Sequence, residues 1–168
     1  MDDAIIAQQF VRQYLATLAM LRQAIQLCPE ELWLDSSYTN RFWHIAYHSV
    51  FYTHFYVQGS EESFRAWEHH QNGSNHLGSR AGEQKEARAQ ITPYTREQVL
   101  EYLKFCCDQI AERLPLDTLE AESGFSWLSF NRFEVHLYTL RHLAHHTGQL
   151  ADRLRVVAHV GMPWVRQG

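Results

Sequence analysis

No block of Lys and Arg occurs in this 168-residue chain, whose 15 basic and 19 acidic residues leave a formal net charge of −4. That excludes the electrostatic footprint of a protein that grips nucleic-acid phosphates or an anionic membrane surface. Cysteine is equally sparse: Cys28, Cys106 and Cys107 are odd in number and two are adjacent, a poor disulfide framework that suits a reducing compartment, so a cytoplasmic location is expected. No apolar run is long enough to span a bilayer, and Asp2 and Asp3 stand where a secretory signal would carry basic charge. Also missing are a Ser/His/Asp motif, a Gly-rich phosphate loop and a paired-carboxylate motif. No residue is assigned as general base or nucleophile.

What the chain does have is histidine and aromatic bulk: 11 His, 9 Phe, 8 Tyr and 5 Trp. The length suits one domain over residues 1–168 with a stiff core. Apolar positions Ile6, Phe10, Leu15, Leu18, Leu21 and Ile25 predict an amphipathic helix from Asp3 to Leu27, followed by a short helical turn at Pro29–Trp33. A second long helix is predicted from Arg41 to Val57, nearly apolar all round and therefore sandwiched between others. A short helix is predicted from Ser60 through Phe64 and Trp67, then an exposed loop from Gln71 to Gln90. Thr95 and Gln98 have the spacing of a capping box and open a third long helix that Pro115 ends. A fourth runs from Asn131 to Val160, with Phe133, Leu137, Leu140, Leu143, Leu150 and Leu154 as packing positions. Four long helices and no convincing strand predict an all-α four-helix bundle with short extra helices.

The chemistry concentrates in two HxxxH pairs. His142 and His146 stand one turn apart on the fourth helix, with Gln149 continuing their stripe, and His44 and His48 repeat the spacing on the second helix. Two imidazoles on one helical face reach a single divalent ion, and two such helices side by side complete a three-histidine site. Chance HxxxH spacings are common in a histidine-rich chain, but two pairs inside apolar helices would each carry a desolvation cost that coordination relieves. Gly148 removes a side chain close to His146, either for the approach of a ligand or neighbouring helix or for tight packing. His69, His70, His76 and His159 are given no role, His54 turns away from the His44/His48 face, and the cysteines read as structural thiols.

With those residues in view, the chain resembles the DinB/YfiT-like superfamily of metal-binding four-helix bundles. The likeness rests on Arg141-His142-Leu143-Ala144-His145-His146-Thr147-Gly148-Gln149-Leu150, which is similar to the family's last-helix motif, and on Ala46-Tyr47-His48-Ser49-Val50-Phe51-Tyr52 with Tyr56-Val57-Gln58-Gly59, which is similar to one branch of its second-helix motif. Trp43-His44-Ile45-Ala46 looks like a shorter form of the same motif. The resemblance implies metal roles for His48, His142 and His146, with His48 favoured over His44. It further implies an up-down-down-up bundle, a homodimer, and a divalent transition metal (Zn, Ni, Mn or Fe) in a cavity open to solvent. The expected activity is a metal-dependent hydrolase or thiol transferase acting on a small molecule such as a low-molecular-weight thiol. The alternative is a non-catalytic metal- or small-ligand-binding bundle, stress-associated in its setting.

Overall fold

In a computed structural model, residues 3–78 and 91–168 are described, and they are all-helical, with one isolated antiparallel bridge between Glu122 and Asn131 and no strand. Five α-helices follow in order: α1 (Asp3–Leu27), α2 (Glu30–Trp33), α3 (Phe42–Val57), α4 (Arg96–Arg113) and α5 (Arg132–Arg153). A 3-10 turn at Leu114–Leu116 ends α4 where Pro115 falls, and a π-helical turn at Leu154–Ala158 ends α5. The four long helices match the predicted spans closely. None of the described helices is long and apolar enough to cross a membrane.

Helix α3 is the centre of the molecule. Every residue from Phe42 to Val57 is buried except Tyr52 and Phe55, as its lack of polar surface requires. It packs against α5 on one side and α4 on the other, and α1 closes the arrangement by contacting both. The hydroxyls of Ser49 and Thr53, buried inside α3, donate to the carbonyls of Ile45 and Ser49 one turn back, so they bring no unpaired donor into the core. Local signals set the ends. Gly59 takes φ +93° just beyond α3. Thr95 and Gln98 form the reciprocal capping box of α4, and Asn131 Oδ1 accepts from the Glu134 amide at 3.1 Å to start α5.

Three expectations need correction. The segment after Gly59 forms turns instead of a helix. Its backbone groups are claimed locally: the Gln58 side chain donates to the Arg65 carbonyl and accepts from the Arg65 amide, both at 2.9 Å, while Ser60 and Ser63 bond to each other. The expected loop from Gln71 is ordered and docked over residues 71–78, with Ser74 buried; residues 79–90 lie outside the described part. On α5, Phe133 and Leu137 are exposed, and the inward stripe is Arg132, Val135, His136, Thr139, Leu143, Thr147 and Leu150. Leucine and phenylalanine drew the predicted face one position aside because polar residues hold part of the true one.

Candidate metal centre

Packing α3 against α5 brings His48, His142 and His146 together. Their ring centroids form a near-equilateral triangle, 4.9 Å from His48 to His142, 4.7 Å from His48 to His146 and 4.6 Å from His142 to His146. One ligand atom from each lies within 4.8 Å of those of the other two, close enough to hold one metal ion. A second grouping, Glu68, His69 and Glu101, is exposed at all three residues and has no buried donor to satisfy.

Hydrogen bonds decide which ring nitrogens are available. The Nδ1 of His48 is 2.7 Å from the main-chain carbonyl of Asn75. A carbonyl only accepts, so Nδ1 carries the proton and the neutral ring has a bare lone pair on Nε2. His146 repeats the arrangement, with Nδ1 3.1 Å from Gln149 Oε1. Outer partners of this kind orient metal-ligating imidazoles and fix their tautomer. The Nε2 atoms of His48 and His142 face each other at 3.0 Å, a contact that requires a proton or a cation between two lone pairs. The Nδ1 of His142 is buried without a hydrogen-bond partner.

Burial supplies the charge state. It pushes His48 down to about 3, helped by the neighbouring imidazoles and opposed by the bond to Asn75. His142 falls to about 4 by burial and the proximity of His146 and His145, and His146 is lowered by burial against the opposing bond from Gln149. All three rings are thus neutral near pH 7, the form that donates to a metal. Three neutral imidazoles from facing helices suit a borderline divalent transition ion and, among the described residues, leave a coordination position without a His, Cys, Asp or Glu ligand.

The other predicted candidates are placed as follows. His44 lies one turn from His48 but outside the triangle: its Nε2 donates to the Ser74 carbonyl at 2.9 Å, and its ring stacks on Trp43 with centroids 4.7 Å apart. The two α3 histidines therefore hold consecutive carbonyls of the 74–75 segment, and the second nitrogen of His48 faces His142 on α5. His54 is buried and bonded to Tyr102 at 3.0 Å and to Gln58. A Cβ at Gly148 would meet nothing within 4 Å, so neither close packing nor an approaching helix explains that glycine among the described residues. Cys28 and Cys106 are buried and free, and burial raises both thiols.

Beside the triangle lies a cavity of about 560 Å3, with His48 and His142 in its wall. Tyr52 and Phe55, the two α3 residues spared from full burial, line it together with Tyr56, Tyr138 and Trp127. Trp127 belongs to the connection before α5 and stacks on Phe55 with planes within 6°. Gly124 fixes that connection: at φ +81° it lies so close to α3's end that an added Cβ would collide with the Gly59 carbonyl oxygen. No motif marks Asn75 or Trp127 in the sequence, because Asn75 acts through its backbone and Trp127 through its position. Among protein-family models, curated proteins and solved structures, none matches the chain.

Proposed function

We propose that the chain is a metal-dependent enzyme of the hydrolase or thiol-transferase kind, in which His48, His142 and His146 hold one divalent ion at the mouth of a solvent-accessible cavity. The observation that carries this reading is the convergence of three imidazoles, two of them with Nε2 left free to face the others by outer hydrogen bonds on Nδ1 and the third, His142, with an unpartnered Nδ1, with the cavity lying against His48 and His142. A structural zinc site is closed by a fourth protein ligand, and among the described residues three are gathered here. The ion would act as a Lewis acid that lowers the pKa of a ligated water or thiol, or polarises a substrate carbonyl. The protein's part is to keep the imidazoles neutral, to orient them through Asn75 and Gln149, and to present the substrate from the cavity. The same proposal takes the helices as a DinB/YfiT-like up-down-down-up bundle, working as a cytoplasmic homodimer on a small molecule such as a low-molecular-weight thiol.

The test is elemental analysis of protein purified without a His-tag or nickel column, wild type beside His146→Ala. The expected result is about one transition ion per chain in the wild type and loss of it in the variant, followed by turnover in a screen of thiol-transfer and hydrolysis substrates. Metal binding without turnover on any of them would favour the non-catalytic binding bundle. No metal in either protein after reconstitution with Zn, Ni, Mn and Fe(II) would overturn the metal reading itself.

A further inference from the structure

We infer that the cavity beside the three histidines takes an uncharged aromatic group as the part of the substrate that the protein positions. This rests on the proposed function for its orientation toward the metal centre, and on the cavity wall for its chemistry. The described wall contains no Asp, Glu, Lys or Arg. A charged substituent seated there would lose water without gaining an ion pair. The guanidinium of Arg141 lies over the Tyr138 ring at 5.5 Å, and Arg141 is not part of the described wall.

The wall is aromatic instead. Phe51 and Phe55 lie with ring planes within 11° of each other, and Phe55 and Trp127 within 6°. Tyr52 and Tyr56 continue one side, and Tyr138 stands edge-on to Tyr56 at 5.5 Å. Ring faces and edges in this number reward a flat π-system through offset and edge-to-face contacts beyond what burial alone gives. Trp127 is 51% exposed, so an indole face is available at the rim. Aromatic walls also attract organic cations, but a divalent ion held by His48 and His142 in the same wall would repel one. At about 560 Å3 the space accepts one or two fused rings with a short linker and a donor atom reaching the histidines.

The probes are benzyl mercaptan, its para-carboxylate and para-aminomethyl analogues, and 2-mercaptoethanol, titrated into Co(II)-loaded protein with the thiolate-to-cobalt absorption as readout. Benzyl mercaptan is expected to bind roughly tenfold or more tightly than 2-mercaptoethanol and than either charged analogue. In Trp127→Ala and Phe55→Ala that preference should shrink to about threefold or less, while Co(II) affinity stays at the wild-type value. Equal affinity for ringed and ringless thiols, or a preference for a charged analogue, would overturn the inference. Ligand-observed NMR with benzyl alcohol on the metal-free protein separates the two levels. Ring binding that depends on Trp127 in a protein that refuses Co(II) would keep the aromatic cavity and overturn the metal reading; no ring binding in a protein that accepts Co(II) would do the reverse.

Discussion

Two histidine clusters lie along the same helix, and they differ in one respect that separates a structural site from a candidate functional one. At the start of α5, His136 is 1% exposed and both its ring nitrogens have polar neighbours: Nε2 donates to Asp117 Oδ2 at 2.9 Å and Nδ1 lies 3.2 Å from the Tyr14 hydroxyl, which is also 3.2 Å from the His136 carbonyl it donates to. Arg132 completes that cluster, donating through Nε to Asp117 at 2.9 Å and through Nη1 to the carbonyls of Tyr56 and Ser123. Although its own burial opposes it, bonds from His136 and Arg132 hold the Asp117 carboxyl down at about 2. Six residues further on, His142 meets other imidazoles instead of a carboxylate, one of its nitrogens has no partner, and the other faces a lone pair. The lower cluster is saturated and stabilises the fold. The upper one is incomplete as protein chemistry and has the ligand atoms to hold a metal ion.

The largest expected effect falls on the saturated cluster. Arg132→Ala leaves a buried carboxylate and several main-chain carbonyls without a donor, and should cost about 3–5 kcal/mol in urea unfolding. Metal stoichiometry of the molecules that remain folded should be unchanged. If Arg132→Ala is as stable as wild type, the distinction between the clusters collapses.

Gly124→Ala comes next. The positive φ and the collision of an added Cβ with the Gly59 carbonyl oxygen would force the connection off α3, at a cost on the order of 2 kcal/mol or more. Because that connection places Trp127, the cavity should lose its hold on aromatic probes while Co(II) still binds.

The third test uses pH. Burial depresses the pKa of both His48 and His142, so the unfolded chain binds protons that the folded chain refuses. Their contribution to stability is fully present above the ordinary histidine value of about 6.5 and is lost as the pH falls from there through about 4 and about 3. Metal-free protein should therefore lose stability on acidification over that window. His142→Ala should flatten the loss measured by urea midpoints, and an unchanged slope would contradict the assigned burial effect. The smallest change is Gly148→Ala, exposed and free of contacts; it should stabilise by roughly 0.5–1 kcal/mol through helix propensity and leave metal binding intact.

The comparison also explains what the sequence disclosed. Helix spans, caps and the His142/His146 pair were legible because each depends on neighbours within one or two turns. The choice of His48 over His44 was not decided by spacing, since both sit on α3 one turn apart; the structure groups His48 with His142 and His146, and the Ser74 and Asn75 carbonyls that hold the two rings come from a segment that reads as solvated loop. His136 was passed over for a similar reason, as its partners Asp117 and Tyr14 are distant in the chain. The inward face of α5 was misplaced at Phe133 and Leu137 because part of the true face is polar and saturated, a condition that hydrophobic periodicity cannot register.

The central claim is that His48, and not its neighbour His44, joins His142 and His146 around one ion. Equilibrium dialysis of His44→Ala and His48→Ala against Zn(II) tests it most directly. The expected result is about one ion per chain for His44→Ala and a fall in affinity of at least about tenfold for His48→Ala, with both variants folded by circular dichroism. Loss of zinc from His44→Ala alone, or full retention by both, would contradict the account.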